Sequence, residues 1–255
     1  MIASVQDDYA KCLAVLNLFD DHSVGTLSEK ILAYFINSKF ASHAKVLAGN
    51  ANLTDIQVKT SHGWFNLSIK TTDSNDTVNL GTMEKVTEKT KSSDTVSQLK
   101  KHLHYKNAKT YDNMMVKDLN NEDVNNRIVA IVEKLCGTES NPEVFCWIKK
   151  TNAPLDPTNK KSVNVLKSLK FDIRKFNKKN LADWFSRQYI HLTDNAYGIK
   201  TKDGKQVVGA DLKGKYLNIR PEFLNAIVNE KGIVEASSSS SDNSIIVLDD
   251  IIEPI

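Results

Sequence analysis

Apolar and polar residues alternate along two neighbouring stretches, Thr54–Thr60 (TDIQVKT) and Trp64–Thr71 (WFNLSIKT). A period of two is that of strands with one face buried and one open. Ile56 and Val58 share a side in the first stretch, and Leu67 and Ile69 in the second, which leaves Asp55, Gln57, Ser68 and Lys70 on the other side. A hairpin turning at His62-Gly63, a pair suited to a two-residue primed turn, matches Val58 with Leu67, Ile56 with Ile69, Gln57 with Ser68 and Asp55 with Lys70. Directly opposed residues in such a ladder lie about 5 Å apart. The predicted register therefore sets a carboxylate beside an ammonium at the hairpin's open end.

Elsewhere the period lengthens to that of a helix. Tyr9, Leu13, Leu16 and Phe19 recur at helical spacing over 6–21, and Ser23-Val24-Gly25 interrupts them. Thr26-Leu27-Ser28-Glu29 then has the spacing of a capping box opening a second helix to about Phe40. Lys45-Val46-Leu47 reads as a short strand, and 96–115 and 121–135 read as helices, the latter with Val124, Ile128, Val129, Ile131, Val132 and Leu135 apolar and Gly137 as its stop. The unbroken apolar run Val144–Ile148 predicts a strand covered on both faces. A loop is expected over 152–159, a strand over 166–176, and a helix capped by Asn180 and running to about Leu192. Tyr197–Lys200 and Gln206–Val208 flank a Lys-Asp-Gly-Lys turn; a strand at Tyr216–Ile219 and a helix opened by Pro221 and running to about Val228 follow. Interleaved strands and helices predict an α/β fold with a central mixed sheet flanked by helices. One domain is expected over residues 1–235, then a Ser-rich linker and an acidic and apolar tail over 236–255.

Composition sets bounds on this picture. The chain of 255 residues, 40% apolar and 25% charged, is ordinary for a soluble globular protein. It has no apolar run of membrane-spanning length, and Met1–Cys12 lacks the basic start and apolar core of a secretory signal. Cys12, Cys136 and Cys146 lack zinc spacing and cannot all pair, so an intracellular, cytoplasmic and reducing location is expected. The net charge of +3 is unevenly spread. From Lys149 to Lys179 ten basic residues face two acids, Asp156 and Asp172, whereas no Lys or Arg follows Lys231. Such a block suits a polyanion, and equally suits solvated lysines on a helix face. Ser244–Asp250 (SIIVLDD) is similar to a SUMO-interacting motif, in which a strand such as Ile245–Leu248 docks on a partner's sheet edge. The segment also reads as a last edge strand packing on the domain itself, which would bury its Ile-Ile-Val-Leu side chains. His102 and His104, two apart, diverge on a helix and make a poor metal pair, and no phosphate loop, nucleophile elbow or His-Glu-x-x-His motif occurs.

Asp55, a spacer and then Ser68-Ile69-Lys70 on the adjoining strand resemble the PD-(D/E)xK nuclease superfamily. Glu29 lies on a preceding helix, where that superfamily commonly carries a Glu. Thr54 stands where Pro is common, and Ser68 where an acid is usual; this Ser-x-Lys form after a Trp-containing strand is similar to HaeIII-type enzymes. The resemblance covers about residues 25–72. It implies a restriction-endonuclease-like fold and a Mg²⁺-dependent type II endonuclease acting on double-stranded DNA, with a homodimer natural for a twofold-symmetric target. It further implies that Asp55 anchors the metal, that Glu29 and the backbone carbonyl of Ile69 complete the protein ligands, and that Lys70 orients water or stabilises phosphorane charge. Ser68 gives a weak ligand or a hydrogen bond to metal-bound water. The residues alone leave alternatives open: a solvated Asp55–Lys70 ion pair, a Glu29 that caps its own helix, and a non-catalytic nucleic-acid-binding or interaction module.

Overall fold

The structure is a computed structural model that describes residues 11–14, 16–17, 21–40, 44–46, 54–60, 63–73, 77–82, 92–103, 114–139, 142–193, 196–209, 216–227 and 230–239. In chain order its elements are α1 (Asp21–Phe40), β1 (Ala44–Val46), β2 (Ile56–Thr60), β3 (Gly63–Asp73), β4 (Val78–Thr82), α2 (Ser92–His102) and α3 (Glu122–Cys136). They continue with β5 (Glu143–Pro154), β6 (Asn164–Phe176), α4 (Lys178–Ser186), β7 (Tyr189–Leu192), β8 (Tyr197–Lys200), β9 (Gln206–Gly209), β10 (Tyr216–Ile219), α5 (Pro221–Ile227) and β11 (Val234–Ser239). The fold is mixed α/β, and it divides into two compact units of interleaved chain segments. Unit one takes Met1–Asn75, Cys136–Lys175 and Glu235–Ile255; unit two takes Asp76–Leu135 and Phe176–Val234.

Unit one is built on a six-stranded sheet in the order β1-β2-β3-β5-β6-β11. β1–β2, β2–β3 and β5–β6 pair antiparallel, while β3 and β5 run parallel. Leu32, Ala33 and Ile36 form the buried stripe of α1 and join Ile56, Val58, Leu67, Ile69, Val144, Cys146, Ile148, Phe171 and Ile173 in one apolar core. Each large apolar side chain removed from water there stabilises the fold by about 1.5–3 kcal/mol. The run 144–148 is buried throughout, as its unbroken apolar character predicts for a central strand. Asn17 ties the segment before α1 to β6: its Nδ2 donates to the Leu166 carbonyl at 3.1 Å and its Oδ1 accepts from the Leu166 amide at 2.5 Å.

Unit two has a five-stranded antiparallel sheet, β4-β10-β9-β8-β7. Phe185 of α4 and Phe223 of α5 stack with centroids 5.5 Å apart, and Trp184 meets both rings edge-on. The turn between β8 and β9 is the expected hairpin, with Gly204 at φ +82°, a conformation a side chain disfavours. Pro221 opens α5, and Asn121 caps α3 through the Val124 amide at 3.1 Å.

Several expectations are corrected. The β2–β3 register is displaced by two residues: Ile56 pairs with Leu67, Gln57 with Asn66, Val58 with Phe65 and Thr60 with Gly63. A slip of two keeps every side chain on its face, so apolar alternation cannot tell the two registers apart. The break at Ser23-Val24-Gly25 is absent, and α1 runs through it. Thr26 is then interior to a helix and cannot be its cap, which removes the capping-box reading of Glu29. The helix expected over 96–115 is described only as far as His102, and Met115 is extended and bridges Tyr189. The helix expected to reach Leu192 ends at Ser186, and 189–192 pair with β8 as a strand. The Val116 amide also donates to the Gln188 carbonyl and the Ile190 amide to the Met114 carbonyl. α4 is capped by Asn177, whose side chain accepts from the Asn180 amide at 3.0 Å, whereas Asn180 Nδ2 donates to the Gly232 carbonyl. β5 extends to Pro154, past the start of the expected loop, and Val129 of α3 is exposed. Ser237–Ser239 belong to β11 rather than to a linker. The motif at Ile245–Leu248 and residue His104 lie outside the described residues.

Candidate functional site

Asp55 sits immediately before β2, where its amide donates to the Leu67 carbonyl at 2.9 Å. Continuing the observed register places Ser68, not Lys70, across from it. Lys70 is then the diagonal neighbour, still within reach of a long side chain. The expected meeting survives in this form: Lys70 Nζ lies 3.8 Å from Asp55 Oδ2. The two side chains keep 25% and 24% of their surface exposed, so neither is sealed beneath packing.

The same Asp55 oxygen accepts the Ile69 amide at 2.5 Å. The Ile69 side chain itself is buried in the core. A residue in an extended strand directs its N–H and C=O toward the same neighbouring strand, so the Ile69 carbonyl faces the side on which Asp55 stands. Ser68 is buried, at 3% exposure. Gln57 donates to Asn66 Oδ1 at 3.0 Å, which engages its amide away from Asp55.

Glu29 lies partly buried on α1, the helix that packs on the core face of this hairpin. Burial first, and then the negative charge of Asp55, push its carboxyl up from 4.5 to about 7; Lys70 and Lys30 pull it back. Glu29, Asp55 and Lys70 thus act on one another electrostatically, and the structure brings the sequence-derived residues into one neighbourhood. A carboxyl whose proton affinity a neighbouring carboxylate raises, together with that carboxylate and a strand carbonyl, is an oxygen-rich donor set that a hard divalent cation suits. Among the described residues no group of three or more His, Cys, Asp or Glu side chains converges to hold a metal. The set at hand is therefore two carboxylates plus backbone oxygen, and Mg²⁺ commonly keeps several waters.

No family model, curated protein or solved structure matches the chain. The site therefore has to be read from its own geometry.

Two groups near the site escape sequence reasoning. Glu143, at the start of β5, is buried and accepts the Thr54 hydroxyl at 2.7 Å, which fixes the residue preceding Asp55. No spacing marks it, because it precedes an apolar run that reads as core. The second group lies on β5 and β6. The ladder places Trp147 beside Lys70 and Asp172 beside Trp147. Trp147 Nε1 donates to Thr72 Oγ1 at 2.8 Å, and Lys149 Nζ rests 4.1 Å from the Trp147 ring centroid. Asp172 accepts from Arg174 Nε at 2.8 Å and lies 3.7 Å from Lys149 Nζ. The excess of basic residues over 149–179 was legible; its arrangement around Trp147 was not.

The remaining candidates are structural or remote. Cys136 and Cys146 are buried and Cys12 is partly buried, and none of the three is in a disulfide. Burial holds the Cys146 thiol well above 9.0, with the Asp172 and Asp55 charges adding to it. His102, at the end of α2, borders an open cleft of about 480 Å³ in unit two together with Lys101 and Asn120. No helix among the described residues is long and apolar enough to cross a membrane.

Proposed function

We propose that the chain is a Mg²⁺-dependent endonuclease that hydrolyses phosphodiester bonds of double-stranded DNA, of the type II restriction-endonuclease-like kind within the PD-(D/E)xK superfamily. The observation that carries this reading is the Asp55–Lys70 contact on adjoining strands, with Glu29 close enough to share their field. Asp55 is the anchoring carboxylate, held in place by the Leu67 carbonyl and the Ile69 amide. Glu29 supplies the second carboxylate and the Ile69 carbonyl a third oxygen. A bound Mg²⁺ supplies an electrostatic clamp on phosphate and an acidified water. Lys70 places positive charge where charge builds on the phosphorane, and its hydrogen bonds orient the attacking water. Ser68, neutral and buried, adds no charge to the site.

A second reading, a non-catalytic nucleic-acid-binding module, is favoured by that same Ser68, because a carboxylate two residues before the Lys would make the metal site stronger. Divalent-metal-dependent scission separates the two. Mixed-sequence duplex DNA incubated with Mg²⁺ should be cut by the wild-type chain. Asp55→Ala and Lys70→Ala should each lose at least about a hundredfold in rate, the scale of removing one charge-stabilising group, while still binding DNA. Full activity in either variant removes that residue from the mechanism. A twofold-symmetric cut pattern would assign a homodimer.

A further inference from the structure

The β3–β5–β6 ladder carries a cationic patch that the chemistry at Asp55 does not use. On one face of the sheet the register aligns Lys70 with Trp147 and Asp172, and in the next row Thr72 with Lys149 and Lys170. Lys149 and Lys170 are directly opposed, an arrangement of like charges that destabilises a sheet. Arg174 adds a third cation through its bond to Asp172. Asp172 pairs with both Lys149 and Arg174. Lys149 is also held in place. Its ammonium rests over the Trp147 ring and beside Asp172, and its side chain is 29% exposed. An ammonium restrained on two sides and open to solvent on another has already lost part of the rotamer freedom that an anion contact would cost.

We propose that Lys149 is a phosphate-contacting residue, held over Trp147 by Asp172 so that it meets a backbone phosphate of the nucleic acid next to the one at Asp55–Lys70. The inference rests on the nuclease reading for the identity of the partner, and deepens it by assigning where the strand runs. Thr72, the ladder partner of Lys149, is two residues beyond Lys70. Two residues of strand span roughly 7 Å, the scale of the separation between successive phosphates along one strand. The backbone would then pass from Lys70 toward Lys149, with Trp147 buried and out of its reach.

The test is the salt dependence of binding to a mixed-sequence DNA duplex, measured with the full chain in EDTA so that no cleavage intervenes. Lys149→Met keeps an apolar stem over Trp147 and removes the charge. It should reduce the slope of log K against log salt by about 0.9, the release of one counterion set, and weaken binding roughly tenfold at 0.1 M salt. Lys149→Arg should keep both. An unchanged slope in Lys149→Met overturns the proposal, as does a wild-type chain that fails to bind duplex at all. If Lys149→Met does not fold, Lys149→Gln decides the matter: the slope should again fall by about 0.9, and an unchanged slope overturns the assignment. A chain that binds with this slope but never cuts in Mg²⁺ sinks the nuclease reading and leaves the phosphate contact standing. A chain that cuts while Lys149→Met keeps its slope does the reverse.

Discussion

Replacing Glu29 by Gln should stabilise the protein, and only above a definite pH. The folded state holds the Glu29 carboxyl near 7 against an ordinary 4.5, so between those values the native chain binds more protons at this site than the unfolded chain. Stability then falls as pH rises through that window, because deprotonating Glu29 in place costs more than deprotonating it in water. For a sealed group the difference would be roughly 3 kcal/mol, at about 1.4 kcal/mol per tenfold change in proton affinity. Glu29 is only partly buried, and solvent screening brings the expected cost down to about 1–2 kcal/mol. The Glu29→Gln side chain carries no charge at any pH. Near pH 4 the variant and the wild type should melt together. By pH 8 the variant should melt higher by about 2–8 °C, at 2–4 °C per kcal/mol for a chain of this size. The measurement is the difference in Tm between the two proteins from pH 4 to pH 9, followed by circular dichroism; carboxylates common to both cancel. The same series with Mg²⁺ reads the second half of the reasoning. A cation between Glu29 and Asp55 favours their charged forms, so it should raise the wild-type Tm at pH 8 and leave Glu29→Gln less affected. Parallel melting curves across the whole range, or a Glu29→Gln protein less stable than the wild type at pH 8, would refute the electrostatic account of this site.

Two further outcomes test the scaffold. Asn177→Ala removes the α4 cap and should cost about 1 kcal/mol by chemical denaturation, whereas Asn180→Ala leaves that cap intact and loses only the side-chain bond to the Gly232 carbonyl. In unit two the buried Asp123 accepts from Tyr197 Oη at 2.6 Å and from Thr95 Oγ1 at 3.0 Å, and pairs with Arg127 at 3.2 Å. Tyr197→Phe should cost about 2 kcal/mol, the scale of a hydrogen bond to a charged group, with no change in DNA cleavage; loss of cleavage at unchanged stability would contradict a purely structural role.

The hairpin was legible because alternation fixes which residues share a face. Ile56, Val58, Leu67 and Ile69 do meet the core, and Asp55 and Lys70 do meet each other. Its register was not legible, since the two candidates differ by an even step that leaves the apolar pattern unchanged. Thr26 through Glu29 showed the converse problem. The spacing matches a cap, yet the helix continues upstream through Gly25, and propensity at Ser23–Gly25 was too weak a signal to stop it. Tyr189–Leu192 follow a helical apolar pattern, but all four pair with β8 as a strand. The placement of Trp147 beside Lys70 depends on a parallel pairing between β3 and β5, and no local pattern announces that partnership. Glu143 was hidden for the same reason, since its contact with Thr54 spans 89 positions.

The parallel pairing of β3 with β5 also sets an order of events during synthesis. The hairpin bearing Asp55 and Lys70 leaves the ribosome early, but Glu143, which holds Thr54, is translated only after the whole span from Asp76 to Leu135. A nascent chain interrupted before β5 would carry the acid and the lysine without the strand that anchors them. A growing polypeptide would therefore complete the surroundings of Asp55 and Lys70 only late in its translation.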